Sequence, residues 1–398
     1  MSAFFLISIA LFLHASCVSS TRPFMLIPEA IKWSSVENSG MQQGNKSCIT
    51  GNPIDDCWRC DSDWQNNRRM LADCSVGFGC NAVGGRDGEL YVVNSSSHDD
   101  PQNPIPGTLR HAVAQEQPLW IIFDQDMDIH LKEGLVLSSY KTLDGRGFNI
   151  QISQGPCLTI QNVTNVIIHN IYIHHCVPAG NAYAGDSPSP GGISDGDGIS
   201  IFGSKDVWID HCTLANCYDG LIDVTYGSTS VTISNNYMLD HNEAMLLGHD
   251  DNFIADKNMQ VTIAFNYFEK NLVQRIPRCR HGYFHIVNNL YAGWKMYAIG
   301  GSANPTINSQ GNIFVALDSN SSKEVTKRES PQGYTGWKNW NWRSDGDLML
   351  NGAFFKSSGQ ETPASYMKAS SMVARPASIL KILSPSAGVL NCQTGQQC

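Results

Sequence analysis

The sequence predicts an all-β chain wound as a right-handed, single-stranded parallel β-helix. Two observations lead there. A short apolar, mostly β-branched run recurs at 166-VIIHN-170, 207-VWIDH-211, 231-VTISNN-236, 261-VTIAFN-266, 284-FHIVNN-289 and 307-INSQGN-312, and most copies close on asparagine. No helix-period pattern separates the copies. A unit of roughly 20 to 40 residues built from such runs cannot bury its apolar face alone, so successive copies stack as the coils of a solenoid. Strands of a β-sandwich would recur at about 8–12 residues without repeating the same run. The right-handed crossover rule for parallel strands sets the hand.

Each element has its own justification. The runs alternate inward and outward side chains over five or six positions, which suits a strand and is too short for a helix. Asn236, Asn266, Asn289 and Asn312 fall at one phase of successive coils, where their amides can stack as a hydrogen-bonded ladder at a turn. Composition agrees: 42% hydrophobic and 16% charged residues, with 35 glycines and 17 prolines, fit many short strands joined by turns.

Residues 1–20 form an apolar run too short to cross a bilayer and ending in small residues, the pattern of a secretory signal peptide. A poorly ordered extension is expected over 21–50 and the β-helix over 51–398. Thirteen cysteines, twelve without Cys17, point to disulfides; zinc at Cys57 and Cys60 would need a second close pair that the chain lacks. Sequons at Asn45, Asn94, Asn162 and Asn320 agree with glycosylation on an oxidising secretory route. The net charge of −9 argues against nucleic acid and anionic membranes as partners, because the long-range field repels both. A polyanionic substrate therefore needs local help from arginines or a divalent cation.

Asp195 and Asp197 precede the run at 207 by nearly the same interval as Asp219 and Asp223 precede the run at 231. Equal phase puts them on one face of adjacent coils, about 4.8 Å apart. Singly, each Asp-Gly pair reads as a turn. Together, four carboxylates so close repel unless protonated or neutralised, and their hard oxygens suit Ca²⁺. The segment 274-QRIPRCRHG-282 adds Arg275, Arg278 and Arg280 to the same face further along, with Glu243 and 249-HDD-251 between. Arginine suits capture of carboxylates. His169 and His211, at the ends of their runs, read as core or turn residues.

With these residues in view, the chain resembles plant pectate lyases of polysaccharide lyase family 1, close to the pollen enzymes and their allergen relatives. The matching runs include 52-NPIDDCWRCDSDWQNNRRMLADCSVGFG-79, 141-KTLDGRG-147, 207-VWIDH-211, 219-DGLIDV-224, 245-MLLGHDD-251, 274-QRIPRCRHG-282 and 297-YAIGGSANPTI-307. The resemblance implies a secreted, monomeric enzyme of the plant cell wall that cleaves polygalacturonate by calcium-dependent β-elimination. It implies calcium held by Asp195, Asp197, Asp219 and Asp223, Arg275 as the proton-abstracting base, and Arg280 with Arg278 as substrate contacts. It also implies disulfides Cys57–Cys74, Cys157–Cys176 and Cys392–Cys398. Glu243 departs from the pattern, standing at a substrate contact where the family often has lysine. Polygalacturonase motifs are absent, and the aspartates speak against a metal-free pectin lyase. The alternative is a catalytically weak or silent, allergen-like pectin-binding protein.

Overall fold

β-Branched runs that cannot pack as helices bury their side chains by stacking strand on strand, and every strand pairing between named strands is parallel. The structure, a computed structural model, describes residues 48–97, 101, 103–179, 194–318, 322–360 and 366–398. The expected signal peptide (1–20), most of the expected extension (21–50), and the sequons at Asn45 and Asn320 lie outside the described residues. Among the described residues, no helix is long and apolar enough to cross a membrane.

Three parallel sheets form the walls of a right-handed β-helix, of ten, eight and nine strands among the described residues. The ten-stranded sheet carries the repeats in register. Val166, Val207, Val231, Val261, Phe284, Ile307 and Trp342 are successive partners across it, and all have no exposure. The sequence repeat is thus one inward column of the core.

The asparagines turn the chain from this sheet into the nine-stranded one. The residue ahead of each ladder position, Asn235, Phe265, Asn288 or Gly311, takes a left-handed backbone with φ of 54°, 58°, 53° or 62°. Asparagine and glycine tolerate that region; at Phe265 packing imposes it. The buried amides then stack. Asn236 donates to Asn266 Oδ1 (3.0 Å), Asn266 to Asn289 Oδ1 (2.9 Å), and Asn289 to Asn312 Oδ1 (3.0 Å). Asp347 ends the ladder, accepting from the Asn312 amide at 3.0 Å.

The outer face of the ten-stranded sheet is covered in turn. Ile54, Trp58, Trp64 and Leu71 from the N-terminal segment and Leu380 and Leu383 from the C-terminal one pack on Trp120, Ile167 and Trp208. Buried polar contacts fasten the cover: Asp144 binds Arg146 (2.8 Å) and Arg68 (2.9 Å), and His211 meets Asp55 at 2.9 Å. Both His169 and His211 are fully buried. Disulfides join Cys57–Cys74, Cys157–Cys176, Cys392–Cys398 and Cys48–Cys60, so Cys57 and Cys60 enter separate bridges. An even cysteine count does not mean full pairing here. Cys212, Cys217 and Cys279 remain buried thiols, because inward positions of a solenoid accept cysteine as a small hydrophobe.

Candidate active site

The eight-stranded sheet carries the charged residues on its outer face. Ser200 pairs with Asp223 and Leu246 with Arg278, and the Leu246 N–H donates to Asp223 Oδ1 at 2.9 Å. One outward column therefore runs from Ser200 through Asp223 and Leu246 to Arg278. At about 4.8 Å per strand, Asp223 and Arg278 stand two coils apart. Asp195, Asp197 and Asp219 sit in the turns entering this sheet rather than on strands.

Asp195, Asp197 and Asp219 each offer an oxygen within 4.8 Å of the others. Asp197, 4% exposed, accepts the Gly220 N–H (2.7 Å) and the Ser200 hydroxyl (2.7 Å). Burial, reinforced by Asp195, pushes its carboxyl up to about 7. Burial and then Asp197 push Asp223 well above the ordinary range, and desolvation and then Asp219 raise Asp195. These carboxylates gather where each makes the next harder to ionise, an arrangement that a cation relieves.

The donor set suits calcium. Ca–O bonds of about 2.3–2.6 Å put two ligands of one ion no more than about 5 Å apart, and these groups offer only hard oxygen. Gly220 leaves room between the acids: a Cβ there would lie 2.4 Å from Asp223 Oδ1 and 2.9 Å from Asp197 Oδ1. In sequence Gly220 reads only as half of an Asp-Gly turn, and its second role follows from the coil below.

Each arginine has its own acid. Arg275 Nη2 lies 3.1 Å from Glu243 Oε1, Arg278 Nη2 lies 2.5 Å from Glu329, and Arg280 Nε lies 3.1 Å from Asp251. Arg280 also donates to the carbonyls of Gly248 (2.9 Å) and His249 (2.7 Å). Among the described residues, none of the three forms an ion pair with the four aspartates. Glu243 faces Arg275, so the departure seen in sequence is an arginine partner. Glu329 escaped the sequence reading because it lies some fifty residues downstream, with no repeat to point to it. Asn94 and Asn162 are exposed.

Comparison with known proteins agrees with this architecture. The family model described as pectate lyase matches residues 124–381. A protein of Arabidopsis thaliana bearing a pectate lyase name is 64% identical, over 88% of this chain and 89% of its own length. A pectate lyase of Zinnia elegans is 57% identical, over 96% of each chain. The crystal structure of Jun a 1, the major allergen from cedar pollen, superposes with a TM-score of 0.79 at 45% identity, covering 85% of this chain and 99% of that one. The chain therefore belongs to the pectate lyase family and is an enzyme of that kind.

Proposed function

We propose that the enzyme cleaves α-1,4-linked polygalacturonate by calcium-dependent β-elimination, releasing 4,5-unsaturated oligogalacturonates, as a secreted glycoprotein of the plant cell wall with glycans at Asn94 and Asn162. The observation that carries this reading is the acid cluster around Gly220, on the sheet face whose outward column leads to the arginines. Asp195, Asp197, Asp219 and Asp223 would hold the ion. Bound calcium supplies a counter-charge for a substrate carboxylate, which makes the neighbouring carbon acid less weak.

Arg275 takes the C5 proton onto its guanidine. The C–H electron pair becomes the C4–C5 double bond as the C4–O4 bond breaks, and water protonates the departing oxygen. A carbon acid needs a strong base, and arginine is the strongest side-chain base available. Arg280, held through Nε and Nη1, leaves Nη2 for a substrate carboxylate. Arg278 adds cationic charge beside it.

The test is ultraviolet absorbance of the unsaturated product on polygalacturonate, first with calcium and then with a chelator. Absorbance should rise with calcium and stop on chelation. A rate indifferent to chelator overturns the calcium reading, and bond cleavage without absorbance overturns elimination.

A further inference from the structure

Arg275 is held more deliberately than a base alone requires. Glu243 Oε1 forms an ion pair with its Nη2 at 3.1 Å and accepts a hydrogen bond from the Gln274 amide at 3.2 Å. Glu243 and Gln274 are partners in a parallel bridge between successive coils, so backbone register holds the pair as well as charge. Arg275 has a left-handed backbone, φ 56°, unusual for a non-glycine residue and sustained by the Met245 N–H donating to its carbonyl at 2.7 Å. The two side chains are 21% and 26% exposed. Glu243 is the only side-chain partner of Arg275 among the described residues.

A guanidine that accepts a proton during turnover must point at the reacting carbon beforehand, and must be stabilised as the guanidinium it becomes. A carboxylate on one terminal nitrogen does both and leaves the other nitrogens for substrate, as an acid partner orients a catalytic histidine. We infer that Glu243 is a positioning residue for Arg275, fixing its orientation in the free enzyme and holding the guanidinium formed by proton transfer. This rests on the reading of Arg275 as the base. Other charged and titratable groups face the pair from every side. Arg278 and Arg280 share the arginine's own segment, and the buried, unpartnered Tyr297 hydroxyl comes from the next coil. Glu329 and Lys327 follow on the coil beyond, and His241, bonded to the Asp219 carbonyl, precedes Glu243 on its own turn.

The experiment compares Glu243→Gln, Glu243→Asp and Arg275→Lys on polygalacturonate at saturating calcium, recording kcat, KM and the pH profile. Glutamine keeps the shape but removes the anion. Its kcat should fall at least tenfold, KM should not rise, and the ascending limb of the profile, where the base loses its proton, should move about one unit toward lower pH, because the guanidinium loses its counter-ion. Aspartate keeps the charge on a shorter arm, so the limb should stay in place while kcat falls. A Glu243→Gln enzyme with the parental kcat and pH profile, altered only in KM, overturns the inference and leaves Glu243 as a rim charge that repels substrate. Arg275→Lys separates the two levels. Parental turnover there would remove the base assignment itself, whereas lost turnover beside an unaltered Glu243→Gln enzyme would remove only the positioning role.

Discussion

Gly220→Ala should weaken the proposed binding of calcium by the acid cluster while leaving the coil intact. Gly220 does not have a positive φ, so alanine suits its backbone, and the perturbation is confined to space. The added Cβ would lie 2.4 Å from Asp223 Oδ1, and real Cβ atoms do not come closer than 3.0 Å. Asp223 must therefore retreat by about 0.6 Å, beyond the roughly 0.2 Å tolerance of a ligand shell. The same oxygen accepts the Leu246 N–H at 2.9 Å, so that bond stretches too. Losing one charged contact of about 1.5–3 kcal/mol should weaken calcium binding about 10- to 150-fold. Calorimetric titration of calcium, with circular dichroism to confirm the fold, measures this. A folded variant whose affinity stays within threefold of the parent would refute the placing of calcium between these carboxylates.

Two further outcomes concern the scaffold. Asn266→Ala removes the acceptor for the Asn236 N–H (2.9 Å) and for one hydrogen of its side-chain amide (3.0 Å), leaving two buried N–H hydrogens without partners while the other amide hydrogen still meets the Ile209 carbonyl (3.2 Å). At about 1–3 kcal/mol each, denaturant unfolding should show a loss of about 2–6 kcal/mol; a loss below 1 kcal/mol would mean the ladder is ornamental. His169 is fully buried and its pKa is pushed down to about 4 from 6.5, chiefly by burial, despite Asp210 at 3.0 Å. Between those values the unfolded chain binds the proton and the fold does not, so stability falls as pH drops from 6.5 toward 4, by about 3 kcal/mol. His211, raised because Asp210 and Asp55 outweigh its burial, acts with the opposite sign and only above 6.5. Unfolding midpoints of the parent and of His169→Gln across pH 4.5 to 7 should converge toward the acid end; parallel curves would show that His169 does not titrate with unfolding.

The repeat made the scaffold legible, because in a solenoid one sequence phase becomes one column in space. The valine and isoleucine runs had to align to bury their apolar faces, and Asn236, Asn266, Asn289 and Asn312 had to stack once that alignment existed. The same phase brought the aspartates to one region, but only approximately. Asp223 pairs with Ser200, so in this register Asp197 lies opposite Gly220 and Asp219 lies opposite Gly196. What the sequence could not determine was which charge meets which. Arg275 with Glu243, Arg278 with Glu329 and Arg280 with Asp251 are contacts between coils, made by side chains some thirty to fifty residues apart and separated by turns of unequal length. Turn lengths escape the repeat because they face solvent and bury no column, so only the folded chain decides which long side chain from one coil reaches the next.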